Sequence, residues 1–256
     1  MLRRPTILFA CLMAAGAACH AESKPISLQF CHEDQDSYPY VFKDKLGTND
    51  RLMRLMEKQL GVTILVHVLP WKRCLFEMGK GKMDGAFPAS FRSDRLEFGA
   101  YPMNGDKPDV SMRLHTSGYV LYRLKGSIVD WDGGKVINAT RPIGAQFGFS
   151  VVETLKQAGV NVDDSPRSGE EALRRVLAGR FDGAALQPST GDDLLAKHPD
   201  LGQRIERVAK PIEEKPYYLM LSHKLLKEYP AFSKKLWDTI IVIRESAEFK
   251  KIEAEY

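Results

Sequence analysis

A short unit occurs twice in this 256-residue chain, about a hundred residues apart, and it restricts the fold more than any other feature. The first copy reads Gly81-Lys82-Met83-Asp84-Gly85-Ala86-Phe87-Pro88-Ala89-Ser90, and the second Gly179-Arg180-Phe181-Asp182-Gly183-Ala184-Ala185-Leu186-Gln187-Pro188-Ser189. Each follows an amphipathic segment. The order predicts a helix stopped by a C-terminal glycine, then Asp-Gly, then a short buried strand that opens into a polar loop. Ligands of open α/β sheets sit outside the carboxyl ends of the strands. Two such loops, one per half of the chain, predict two α/β lobes that face each other across a cleft.

The N-terminus bounds the compartment. Met1-Leu2-Arg3-Arg4 precedes an apolar run from Ile7 to Ala18, and small residues, Cys19 and Ala21, stand at −3 and −1 before Glu22. This is the pattern of a cleavable signal peptide over residues 1–21. Gly16 stands where a lipoprotein signal wants Leu, which disfavours lipidation at Cys19. The expected location is the periplasm. Loss of Arg3 and Arg4, with no acid, lowers the net charge from +4 to +2. Such a balanced surface, without a basic block, speaks against nucleic-acid binding. Cys31 and Cys74 are the two thiols left after cleavage; in an oxidising compartment they are expected to form a disulfide, the alternative being two buried free thiols.

The remaining pattern alternates strands and helices. Strands are expected at Ile26–Cys31, Val62–Leu69, around Asp84, at Val110–Leu114, Gly118–Leu124, Pro142–Ala145, Val160–Val162, around Asp182, at Ile205–Ala209 and at Tyr217–Ser222. Helices are expected from Thr48 or Asn49 to Leu60, after Pro70, after Ser150, after the Ser168 capping box, from about Ser189, and from Lys224 to the C-terminus. The chain is expected to cross between lobes near Val110–Leu124 and again at Lys210–Pro216. Lobe 1 would then hold residues 22–114 and 214–256, and lobe 2 residues 115–213, with a hinge at the two crossings.

Four motifs in this order resemble the type II periplasmic solute-binding proteins, specifically the family-3 amino-acid-binding type, over about residues 24–250. They are Tyr38-Pro39-Tyr40, the helix–Gly–Lys–Met–Asp84-Gly85 unit, Ser93-Asp94-Arg95 followed by Phe98, and Ile143-Gly144 to Gly148-Phe149-Ser150. Pro70-Trp71-Lys72-Arg73-Cys74, taken with Cys31, looks like a sub-branch of that family. The resemblance implies an α/β two-lobe fold, each lobe a mostly parallel sheet flanked by helices. It also implies a binding protein, not an enzyme, that carries a small polar ligand to an ABC permease or a membrane sensor. A monomer without cofactor or metal is expected.

The resemblance also implies site residues. Arg95 is the candidate clamp for a ligand carboxylate and Arg92 its rival, since a guanidinium presents a planar fork to two oxygens. Ser90 adds a donor. Gly148, Phe149 and Ser150 would form an anion site at a helix N-terminus. Tyr38 and Trp71, with Tyr40, would be flat walls. Gln187 stands where amino-acid binders of this type often place an Asp against the ligand's ammonium, and glutamine supplies no negative charge. That puts an amino-acid ligand in doubt beside other carboxylates. Glu33, Asp34 and Asp36 read as solvated loop acids. A periplasmic lyase resembling cyclohexadienyl dehydratase is the alternative function, and an interaction protein that has lost its ligand is a third.

Overall fold

A computed structural model describes residues 24–256 of the chain. The signal-peptide reading of residues 1–21 lies outside the described residues. Twelve strands and nine helices follow the expected alternation among those residues. The first half is β1 (Ser27–His32), α1 (Thr48–Leu60), β2 (Thr63–Val68), α2 (Trp71–Gly79) and β3 (Gly85–Ser90). A small hairpin of β4 (Met103–Asn104) and β5 (Lys107–Pro108) leads to the long β6 (His115–Leu124). A second hairpin, β7 (Asp130–Trp131) and β8 (Val136–Ile137), precedes β9 (Ile143–Ala145), α3 (Val151–Gln157), β10 (Val162–Asp163), α4 (Gly169–Leu177) and β11 (Gly183–Leu186). Then come α5 (Pro188–Lys197), α6 (Pro199–Gly202), the 17-residue β12 (Ile205–Leu221), α7 (His223–Glu228), α8 (Pro230–Arg244) and α9 (Ala247–Glu253).

Eight strands form one continuous sheet in the order β10-β9-β11-β6-β12-β3-β1-β2. Parallel strands occupy both ends: β2-β1-β3 on one side and β10-β9-β11 on the other. The antiparallel pair β6–β12 joins them. Side chains alternate across each half, as the strand period requires. Leu219 and Leu221 of β12 pack with α1, α8 and α9, whereas Tyr218 and Met220 pack with α2. In β6, Tyr119 and Leu121 face α3, and Val120 and Tyr122 face α4. Helices thus cover both faces of each half-sheet.

The repeated unit has the same construction in both places. Gly81 and Gly179 take φ of 69° and 68°, the left-handed conformation that ends a helix without a Cβ penalty. Asp84 Oδ2 accepts the Gln29 N–H of the neighbouring parallel strand at 2.8 Å. Asp182 Oδ2 does the same for the Thr140 and Arg141 N–H groups before β9, both at 2.6 Å. Gly85 and Gly183 lie against the antiparallel neighbour: an added Cβ would meet the Met220 carbonyl at 2.7 Å or Leu121 at 2.8 Å. The Asp-Gly pair therefore docks each buried strand between a parallel and an antiparallel partner.

Two expectations are corrected. Val110–Met112 is a single 3-10 turn rather than a strand, capped by Asp109, whose side chain accepts the Ser111 N–H. Lys210–Pro216 is not a connection between two strands but the middle of β12. Prolines 211 and 216 are tolerated there because this part of β12 is paired on one side only, with β6, and the register shifts around Pro211.

The expected disulfide is present: Cys31 and Cys74 are bonded, with Cα atoms 5.7 Å apart. It ties the end of β1 to the first turn of α2. Loop-closure entropy for a separation of 43 residues corresponds to about 4 kcal/mol. The Cys31→Ala, Cys74→Ala double variant should lose stability of about that size in urea unfolding. Unchanged stability would contradict a constraining role for the bond.

Candidate functional site

The strand ends of the two half-sheets meet around a cavity lined by Glu33, Ser37, Val41, Trp71, Pro88, Ser90, Arg95, Tyr119, Phe149, Ser150, Gln187 and Tyr217. The cavity is small, about 40 Å³, so the walls are drawn together. Hydrogen bonds span the cleft. Ser37 donates to Gln187 Oε1 at 2.5 Å, and Ser90 to the Ser150 hydroxyl at 3.0 Å. Ser189 donates to the Tyr38 carbonyl at 2.5 Å, and Arg95 to the Gly148 carbonyl at 3.3 Å.

Arg95 sits on the 3-10 turn Ser93–Glu97 that follows β3. It is 5% exposed. Its guanidinium donates to the Ser90 carbonyl at 2.9 Å and lies 5.3 Å from the Trp71 ring centroid. Among the described residues no carboxylate lies within ion-pair distance of it. Its basic neighbours differ. Arg92 makes a bidentate pair with Asp94, at 2.9 and 2.7 Å, outside this cavity. Lys215 is held by Glu213 at 2.6 Å. Arg92 and Lys215 are therefore neutralised within the protein, and Arg95 is not.

The other expected residues divide. Trp71, Ser90, Phe149, Ser150 and Gln187 line the cavity with Arg95. Gly148 does not line it, but its carbonyl takes Arg95. Ser150 precedes a helix of seven residues, and its hydroxyl turns to Ser90 instead of capping that helix. Gln187 is fixed at both ends, accepting from Ser37 and donating to the Tyr217 hydroxyl at 3.0 Å. Tyr38 faces away from the cavity: its ring packs on Phe42 and Tyr256, and its hydroxyl bonds the Tyr256 carbonyl. Tyr40 stacks on His115 at 3.5 Å, and His115 stacks in turn on Tyr217.

Glu33 is not the solvated loop acid that its polar neighbourhood implies. It is 8% exposed and lines the cavity. Its carboxyl accepts the Asp34 N–H at 3.0 Å and the Trp71 N–H, first in α2, at 3.2 Å. Burial raises its pKa to about 8, and the hydrogen bond and negative charge of Asp34 add to the rise. Ser37, Tyr119 and Tyr217 were also not legible as site residues. The tyrosines lie in strands whose two faces are both buried, so alternation does not mark them. Burial raises both phenols' pKa values.

No family model matches the sequence, and no curated protein is similar to it in sequence. Solved structures are similar in shape. The GluR0 ligand-binding core from Nostoc punctiforme, in complex with L-glutamate, superposes with a TM-score of 0.70 at 15% identity, over 90% of this chain and 98% of that one. A putative binding component of an ABC transporter from Wolinella succinogenes, complexed with lysine, gives 0.72 at 17%, over 90% and 95%. A histidine kinase sensor domain with similarity to periplasmic binding proteins gives 0.72 at 15%, over the same shares. The chain thus has the two-lobe type II periplasmic-binding-protein fold. At these identities the likeness establishes architecture, and the chemistry must come from this chain's own residues.

The Glu33 carboxyl makes stability depend on pH. The folded protein keeps a proton there that the unfolded chain gives up above its ordinary value of 4.5. The stabilisation is therefore complete below that value and is lost as pH rises through about 8. Relative to Glu33→Gln, the wild type should lose on the order of a few kcal/mol between pH 5 and pH 8.5 in urea unfolding. Parallel pH profiles would contradict the burial of this acid.

Proposed function

We propose that this chain is an exported solute-binding protein whose lobes close on a small polar ligand bearing a carboxylate, held by Arg95. The observation that carries this reading is a buried guanidinium, on the cavity wall, with hydroxyl and carbonyl partners but no acidic partner among the described residues. A buried charge left without an opposite charge is costly, and a ligand carboxylate offsets that cost with two parallel hydrogen bonds. Trp71 supplies the flat surface beneath the guanidinium. The cavity-lining hydroxyls of Ser90 and Ser150 would serve the ligand's other polar atoms. The lobes would be residues 22–114 with 214–256, and 115–213, hinged at β6 and β12. Solved neighbours in complex with glutamate and lysine, and one that is a sensor domain, support delivery of the ligand to an ABC importer or a membrane sensor in the periplasm.

One observation favours a second reading. Glu33 is a buried acid that keeps its proton near neutral pH, as a general acid must. A lyase on this fold would consume its ligand, whereas a binding protein returns it unchanged. Mass spectrometry of the ligand after incubation separates them.

The primary reading is tested by thermal shift and calorimetry against amino acids, small carboxylates, short peptides and polyamines. A carboxylate should bind the wild type, and Arg95→Ala should weaken it at least a hundredfold, about 3 kcal/mol. Arg92→Ala should stay within threefold of wild type, because its partner is Asp94. Retained affinity in Arg95→Ala, or loss only in Arg92→Ala, would overturn the assignment.

A further inference from the structure

Tyr38 has two sides. Its carbonyl faces the cleft and accepts the Ser189 hydroxyl of the opposite half at 2.5 Å. Its side chain faces away and meets Tyr256: the Tyr38 hydroxyl bonds the Tyr256 carbonyl, and the two rings meet edge to face with centroids 6.2 Å apart. Tyr256 also lies on Phe42, with ring planes 18° apart, and its hydroxyl donates to the Leu46 carbonyl at 2.7 Å. Next to it, Glu255 pairs with Arg51 of α1. Loop 37–46 is thus held between Tyr256 on its outer side and the opposite half of the molecule on its inner side.

We infer that Tyr256 is a positioning residue for closure of the cleft: it clasps loop 37–46 from outside, so that Ser37 and the Tyr38 carbonyl stand in place for Gln187 and Ser189. The inference rests on the proposed closure of the lobes and not on the Arg95–carboxylate contact. Loop 37–46 holds no helix or strand, only an isolated bridge between Ser37 and Val41. Yet it supplies two cavity-lining residues, Ser37 and Val41, and two of the hydrogen bonds that span the cleft, Ser37 to Gln187 and Ser189 to Tyr38. Tyr256 holds both ends of this loop, Tyr38 at its start and Leu46 at its finish.

The physical reason is the entropy of the loop. An irregular segment keeps its conformational freedom unless it is tied, and bonds formed on closure must then offset the loss of that freedom. Contacts made within one half order the loop in advance, so closure gains the Gln187 and Ser189 bonds without that cost. Tyr256 can do this because α9, just before it, is itself anchored: Phe249 and Ile252 are buried in the core with residues of α1, α8 and β1. The Arg51–Glu255 pair is partly exposed and adds little. The rings of Tyr38, Phe42 and Tyr256 and the Tyr38 hydroxyl carry the clasp.

The test needs no ligand. Glu97 and Lys156 are exposed and line the outer cleft from the two halves. Nitroxide labels at Glu97→Cys and Lys156→Cys, with the Cys31–Cys74 bond left oxidised, report the distance between the proposed lobes by pulsed EPR. The labelled protein should show a short component, the closed form, beside a longer, open one. Adding Tyr256→Ala should lower the short-to-long ratio about fivefold. In the Ser37→Ala, Ser189→Ala background the loop's bonds to the opposite half are already gone, and there Tyr256→Ala should change the ratio by less than about twofold. An unchanged ratio in Tyr256→Ala, or an undiminished effect in the Ser37→Ala, Ser189→Ala background, overturns the clasp and leaves lobe closure standing. A single distance that no variant shifts overturns both. If Tyr256→Ala does not fold, Tyr38→Phe, which removes only the hydroxyl that holds Tyr256, decides by the same direction of shift.

Discussion

The pairing of β6 with β12 is the interaction on which the rest of the molecule is built. It runs from Ile205 opposite Leu124 to Tyr217 opposite His115. On one side β6 receives β11, and on the other the last residues of β12 receive β3. Both half-sheets are thus aligned from one ladder, and so are the groups at their strand ends. Ser90 closes β3, Gln187 follows β11, and Tyr119 and Tyr217 belong to the joining strands themselves. A motion that opens the cleft must twist this ladder, whose bulges at Pro211 already interrupt regular pairing. The proposed hinge is therefore part of the site, because its tyrosines line the cavity.

Electrostatic context, not residue type, separates the cleft's basic groups. Arg92 and Arg95 are three positions apart on one turn. The first turns outward to Asp94; the second turns inward to carbonyls and hydroxyls. Neutral partners orient a guanidinium without cancelling its charge, and burial makes the uncancelled charge expensive. Glu33 presents the complementary problem, an acid without a base, and there a proton resolves it. The disulfide joins the strand that leads into Glu33 to the helix that carries Trp71, so a covalent link holds these two cavity-lining residues together.

Much of this was legible in the sequence. The duplicated Asp-Gly unit is visible because its parts have local reasons: a glycine at positive φ, an aspartate that bonds the adjacent strand, a glycine pressed on a neighbour. The inward turn of Arg95 followed from the resemblance and not from the local pattern, which fits Arg92 as well. What escaped depends on distant contacts. In the loop after β1, Ser37 reaches the cavity while Tyr38 turns to Tyr256, 218 positions away, and no periodicity foretells that choice. Glu33 sits among Asp34, Gln35 and Asp36, so composition marks it as solvated. It is buried at the start of α2, where it accepts the Trp71 N–H. The continuity of β12 was hidden by its two prolines, which a half-paired strand accommodates.

The most direct measurement is a crystal structure of the protein with the tightest-binding carboxylate from the screen. Both carboxylate oxygens should lie within about 3 Å of the Arg95 guanidinium, above the Trp71 ring, with the Ser90–Ser150 hydrogen bond replaced by bonds to the ligand. A carboxylate seated on Arg92, or a ligand bound outside the cavity with Arg95 still held only by Ser90 and Gly148, would contradict the Arg95 assignment.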